Sequence, residues 1–232
     1  MQFSAPIYRL KRQAKHDAKA RGVPLHEALD AAARAEGYRG WGHLSAMANA
    51  SPADGVFRAL RPGDLVLLGA RPGHGKTLLA LELALAAERR GHDAAFFTLE
   101  YTAADVAARL QDLGVDPKQT TLSVDTSDKI CADYIAAHVR AADKPAFAVI
   151  DYLQLLDQRR TTPPLGIQLQ ALKACAAEEE AVIVAISQID RSFELSADPL
   201  PTLADVRLPN PADLSVFTKT CFLHNGVVST AD

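Results

Sequence analysis

The chain has 232 residues, 48% of them apolar and 23% charged, with a net charge of -3. That length fits one domain plus an appendage, and the apolar fraction can fill a sizeable core. No apolar run reaches the roughly 18 residues of a membrane span, and the N-terminus lacks the apolar stretch of a secretory signal, so a cytoplasmic protein without membrane contact is expected.

Residues 1–50 read as a helical segment separate from the rest, followed by a second domain from 56 to 232. Arg9, Arg12, His16 and Lys19 recur at helical spacing. Pro24 can open a second helix whose apolar stripe is Leu25, Ala28, Leu29 and Ala32, with Gly37 as its C-terminal cap. A third short helix is expected from about Trp41 to Met47, and "SPADG" at 51–55 reads as a linker. Eight Lys/Arg against four Asp/Glu give residues 1–50 a balance of +4, which leaves -7 for the remainder. The asymmetry hints that the N-terminal segment meets something acidic.

From residue 56 apolar strand-like runs alternate with helical ones. The runs lie at 65–70, 94–99, 121–124, 146–151, 181–187 and 219–224, with helical stretches near 76–90, 103–113, 128–142 and 166–179. Near-continuous apolar strands separated by helices predict a mostly parallel sheet covered on both faces. Residues 189–217 hold four prolines and no clear period, and read as a long loop. Cys131, Cys175 and Cys221 form no CxxC pair, so reduced, mostly buried thiols are expected rather than a zinc site or a disulfide framework.

The chemistry concentrates at the ends of the strands. "GARPGHGKT" at 69–77 follows one strand and opens a helix, the setting a phosphate loop requires. Backbone N–H groups at such a helix start point at an anion, and Gly73 and Gly75 let the backbone approach it. The expected nucleotide-binding set is Arg71, Pro72, Gly73, His74, Gly75, Lys76 and Thr77, together with Asp151. Lys76 reaches the β- and γ-phosphates, and Thr77 and Asp151 are the Mg²⁺ ligands. Ala70 stands at the first motif position, with Gly69 just before it. Glu100, closing "AFFTLE", is placed to activate the attacking water. Thr102 and Asp105 form a capping box for the helix that follows, and Gln188 is placed to sense the γ-phosphate.

"LRPGDLVLLGARPGHGKTLLALELA", "FFTLEYTAADVAARL", "AVIDYLQLL" and "VIVAISQIDRSFE", in that order, resemble the motor domain of the DnaB-like replicative helicases, and "LPTLADVR" at 200–207 resembles that family's next segment. The resemblance covers about residues 56–207 and implies a RecA-like P-loop ATPase that uses ATP and Mg²⁺, acts on single-stranded DNA and assembles as a homo-oligomer, a hexameric ring in the motor-competent case. It implies Lys76 and Thr77 as phosphate and Mg²⁺ ligands, Glu100 as catalytic base, Asp151 as the Mg²⁺ acid and Gln188 as phosphate sensor. Three features depart from it. The segment after Arg207 reads "LPNPADLSVFTKT" instead of an acidic, Gln-containing stretch, the 50-residue segment stands where the family carries a helical N-terminal domain, and residues 219–232 offer only Lys219 and His224 as basic side chains where an arginine finger is expected further on.

The loops that face DNA in that family offer Arg159, Arg160 and Arg191 here, with Arg207 beyond. Residues 189–217 also carry Asp190, Glu194, Asp198, Asp205 and Asp213, a poor match for a phosphate backbone. The basic N-terminal helix, with Arg9, Lys11, Arg12, Lys15 and Lys19, could compensate. Two readings follow: a helicase-type ATPase on single-stranded DNA, or a nucleotide-binding adaptor or regulator that kept the fold and lost the motor. A small-molecule kinase is disfavoured, since no arginine-bearing acceptor lid is visible.

Overall fold

A computed structural model describes residues 7–42, 44, 52–157, 162–196, 198–208, 210–224 and 227–232. It divides into two compact units, Met1–Ser51 and Pro52–Asp232.

The first unit is a helical hairpin. Helix α1 spans Ile7–Arg21 and α2 spans Leu25–Ala35, with Pro24 as the N-cap of α2. Ala14, Ala18 and Ala28 are buried where the two helices meet, with Val23, Leu29 and Ala32 packed around them. Leu25, expected on the apolar stripe, is 41% exposed instead, because the hairpin core is built from alanines further along both helices. Gly37 (φ +85°) ends α2, its N–H donating to the Arg34 carbonyl at 3.0 Å while Tyr38 N–H donates to that of Ala33 at 2.9 Å. The Asp30 carboxylate accepts from the Trp41 N–H at 2.7 Å. Of the third helix, residues 41, 42 and 44 are helical and the others of 41–47 lie outside the described residues.

The second unit opens with helix α3, Pro52–Ala59. The linker expected at 51–55 is thus largely helix: Pro is tolerated in a first helical turn, and Ala53 and Val56 are buried against the next helix. Seven strands follow in chain order, β1 Leu65–Ala70, β2 Asp93–Thr98, β3 Ser123–Asp125, β4 Ala146–Asp151, β5 Val182–Gln188, β6 Lys219–His224 and β7 Val227–Ala231. The helices between them are α4 Lys76–Glu88, α5 Ala103–Asp112, α6 Ala132–Arg140 and α7 Leu165–Glu178. The sheet order is β3-β2-β4-β5-β1-β6-β7, parallel except for β7, which runs antiparallel to β6.

Successive strand residues face opposite cores. Val66, Leu68, Phe96, Val149, Val184 and Ile186 pack with α3, α4 and α5 on one face. Leu65, Leu67, Phe97, Ile150, Ile183 and Ala185 pack with α6 and α7 on the other. β1 and β4 are therefore buried at every position, which is why they read as unbroken apolar runs. Gly69 is required by close packing: a Cβ there would sit 2.7 Å from the Phe222 ring of the neighbouring strand.

The stretch after β5 is more ordered than a plain loop. It folds back through an Ile189–Val206 bridge and buries Phe193, Val216 and Phe217, with short 3-10 turns at Arg191–Leu195, Leu203–Asp205 and Leu214–Val216. All three cysteines are free, Cys175 and Cys221 buried and Cys131 partly so. Among the described residues no helix is long and apolar enough to cross a membrane.

Candidate functional site

Ligand sites in a parallel sheet lie beyond the carboxyl ends of its strands, and the expected site residues collect there. Residues 71–75 form a tight turn between β1 and α4, with the His74 N–H donating to the Arg71 carbonyl at 3.2 Å. Gly73 (φ +82°) and Gly75 (φ +84°) hold left-handed conformations that other residues rarely adopt. Gly75 is the N-cap of α4, so no side chain caps the helix, and its first turn contains no acid. The first N–H groups of a 13-residue helix and its positive dipole end thus lie open to an anion. Lys76 and Thr77, the next two residues, are both buried.

Asp151 ends β4, opposite Thr98, the last residue of β2. It is 1% exposed, and neither carboxylate oxygen has a hydrogen-bond partner. Burial drives its pKa from 3.8 up to about 6. The Lys76 ammonium pulls against that shift, the Glu100 carboxylate adds to it, and the nearby Thr77 hydroxyl favours the anion without forming a well-aligned hydrogen bond to either oxygen. A buried, unpartnered carboxylate beside a buried lysine and hydroxyl is a place prepared for a cation. Among the described residues no cluster of three or more His, Cys, Asp or Glu could cage a metal alone. The donor set suits Mg²⁺, which is held by one or two protein oxygens plus phosphate and water.

Glu100 lies two residues past the end of β2, outside the strand, and is exposed. Thr98 fixes its backbone: the Thr98 hydroxyl oxygen accepts from the N–H groups of Glu100 at 3.1 Å and Tyr101 at 3.3 Å. Thr102 and Asp105 form the expected capping box at the start of α5. Gln188 closes β5, level with Ala70 of β1, half-buried, and its carbonyl accepts from Arg207 N–H at 2.8 Å.

Arg71 stands apart. Its buried guanidinium points into the segment after β5, donating to the Ile189 carbonyl at 3.1 Å and to Glu194 Oε1 at 3.0 and 2.5 Å. The His74 ring stacks on His224 at the end of β6, 5.2 Å between centroids, and the Phe193 edge meets the same His224 at 5.2 Å. Both side chains fasten the turn to the strand ends beside it. Arg191 is exposed on the same segment. Arg159 and Arg160 lie outside the described residues.

Several neighbours were not singled out in the sequence. Tyr101 lies among Glu100, Thr77 and Asp151, its pKa raised first by burial and then by the Glu100 charge. Arg109 covers the Tyr101 ring at 3.8 Å. The Gln154 amide donates to Ser187 Oγ at 2.9 Å and to the Arg207 carbonyl, tying β4 to the end of β5. The tyrosine and arginine at 101 and 109 sit eight residues apart in an ordinary amphipathic pattern, so spacing alone did not mark them.

The model of the DnaB-like helicase C terminal domain family matches residues 49–116 and 111–211. The chain is 30% identical over 188 residues to a replicative DNA helicase DnaB of Leifsonia xyli, covering 66% of this chain and 41% of that protein. It is 29% identical over 201 residues to one of Helicobacter pylori, covering 71% and 41%. The chain thus spans about two fifths of the length of these curated relatives. Among solved structures it is similar to a DnaB-like replicative helicase described with its interactions with primase, at a TM-score of 0.59 and 18% identity over 93% of this chain and 64% of that one. It is also similar to a KaiC-like protein of Pyrococcus horikoshii, at a TM-score of 0.52 and 20% identity over 69% and 72%. At these identities the likeness is one of fold, and the fold is RecA-like.

Proposed function

The chain belongs to the DnaB-like helicase C-terminal domain family, and from that premise we propose that it binds and hydrolyses ATP with Mg²⁺ and acts on single-stranded DNA as a cytoplasmic homo-oligomer. The observation that carries the nucleotide part is the buried, unpartnered Asp151 carboxylate beside Lys76 and Thr77, at the open end of α4. The phosphates lie on the N–H groups of residues 73–77. Lys76 stabilises the charge on the transferring phosphoryl group. Mg²⁺, when bound, neutralises charge on the phosphates, and Thr77 and Asp151 are the residues that hold it. Glu100, exposed but fixed at its backbone by Thr98, orients and deprotonates the water. Gln188 reads the γ-phosphate and passes its presence to the segment that begins at Ile189.

Lys76→Ala tests the assignment. Loss of ATP turnover in a chain that still unfolds cooperatively is the expected outcome; undiminished turnover would sink it. The acidic balance after β5 favours a second reading, a nucleotide-binding regulator without motor activity, since Asp190, Glu194, Asp198, Asp205 and Asp213 outnumber Arg191 and Arg207. Turnover measured with and without single-stranded DNA, alongside the assembled mass, separates the two. Stimulation in a hexamer supports the motor, and slow, DNA-indifferent turnover in a monomer supports the regulator.

A further inference from the structure

Among its described side chains helix α1 carries five exposed Lys and Arg, Lys11, Arg12, Lys15, Lys19 and Arg21, and one acid, Asp17. At about 100° per residue, Lys11, Arg12, Lys15 and Lys19 fall within an arc of about 100°. The buried alanines, Ala14 and Ala18, occupy the arc beside it, and Asp17 lies on the far side of the helix, hydrogen-bonded to Gln13 at 2.9 Å. Among the described residues none of the four cations has a carboxylate within 4.0 Å. Lys11, Lys15 and Lys19 follow one another about 6 Å apart along the axis, so the row is about 12 Å long.

Such a row fits a polyanion with regularly repeated charges better than it fits a single small anion. Among the residues whose side chains are described, no large apolar or aromatic one lies on the arc, so that stretch has neither the anchors of an interfacial membrane helix nor a platform on which bases stack, and its cations recognise backbone. In the other unit, residues 189–208 set Arg191 and Arg207 against Asp190, Glu194, Asp198 and Asp205, and Glu194 is itself held by Arg71.

We infer that the Lys11, Arg12, Lys15, Lys19 arc of α1 is a sequence-independent docking surface for the phosphate backbone of nucleic acid. It deepens the DNA part of the proposed function and stands independently of ATP hydrolysis. The affinity arises from release of condensed counterions, so it falls steeply with salt and is indifferent to base sequence.

The test is binding of the full chain, without nucleotide, to a labelled single-stranded DNA of about 25 nucleotides across a salt series. Each phosphate contact on a single strand contributes about 0.7 to the slope of log affinity against log salt. The variant K11Q/K15Q/K19Q should therefore bind at least about tenfold more weakly at low salt, with a slope shallower by about 2. A control removing the same charge elsewhere, R89Q/K118Q/K129Q, uses exposed residues of the other unit and should keep the wild-type slope. An unchanged slope in the α1 variant, or equal loss in both variants, overturns the inference. So does a wild-type chain that fails to bind the oligonucleotide at low salt, or one that binds phosphatidylserine vesicles through the arc and not the oligonucleotide. ATP turnover of the α1 variant without DNA, measured alongside, should equal that of the wild type. A chain with no turnover at all refutes the ATPase reading and leaves the salt slopes to decide this one.

Discussion

Asp151→Asn should stabilise the chain when metal and nucleotide are absent. Burial raises the Asp151 pKa from 3.8 to about 6, with the attraction of Lys76 already acting against that rise. At about 1.4 kcal/mol for each tenfold change in proton affinity, the ionised carboxylate costs the folded chain about 3 kcal/mol. The sign follows from the raised value. Below 3.8 the folded and unfolded chains are both protonated and the cost vanishes; it grows as pH rises and is complete above about 6. Asparagine keeps the shape and carries no charge. At roughly 2–4 °C per kcal/mol for a chain of this size, the variant should melt about 6–12 °C above the wild type at pH 8. The two should coincide near pH 4. Saturating Mg²⁺ and ATP should then reverse the benefit: at a hundredfold excess over Kd a ligand stabilises the chain that binds it by about 2.7 kcal/mol, and the variant lacks the carboxylate that helps hold the cation. Thermal melts at both pH values, with and without Mg²⁺ and ATP, read all of this. A variant less stable than wild type at pH 8 without ligand would refute the reasoning, for it would mean that protein groups already compensate the buried charge.

Gly69→Ala should destabilise by about 1–3 kcal/mol, because the added methyl meets the Phe222 ring at 2.7 Å; a urea midpoint equal to wild type would show that the ring can retreat. Arg71→Met should cost about 1–3 kcal/mol by leaving the Ile189 carbonyl without its donor. Limited proteolysis of the same variant should cut faster within 189–196, and unaltered cleavage there would remove Arg71 as the tie between the two loops.

The parallel strands were legible because burial on both faces leaves little room for polar residues: β1 and β4 occupy the intervals that their apolar runs mark, 65–70 and 146–151. β7 was not. It is an antiparallel edge strand with one neighbour and mostly exposed or half-buried side chains, so "VVSTA" carries neither a continuous apolar run nor a clean alternation. α3 was hidden for a different reason. Pro, Asp and Gly within 52–55 are turn formers by composition, but Ala53 and Val56 are spaced for one helical face, and packing against α4 outweighs the local preference. The helix expected at 128–142 starts later, at Ala132, after a turn in which Ile130 N–H donates to the Ser127 carbonyl at 3.3 Å.

The site shows how far a motif can be read residue by residue. In "ARPGHGKT" the two glycines, Lys76 and Thr77 line the open end of α4, where an anion would sit. Arg71 and His74 share the motif, but their side chains are committed elsewhere, one to Glu194 and the Ile189 carbonyl, the other to the His224 ring. The physical reason lies in the turn itself. Glycines that give the backbone its left-handed angles provide no side chains to hold it in place, and a loop free to collapse would not keep its N–H groups aimed outward. Rigidity must therefore come from neighbouring strand ends, and β5 and β6 provide it through Ile189, Glu194 and His224. The same attachment makes the turn and the segment after β5 one mechanical piece. Arg71 joins them through Glu194 and the Ile189 carbonyl, and Ile189 directly follows Gln188 at the end of β5.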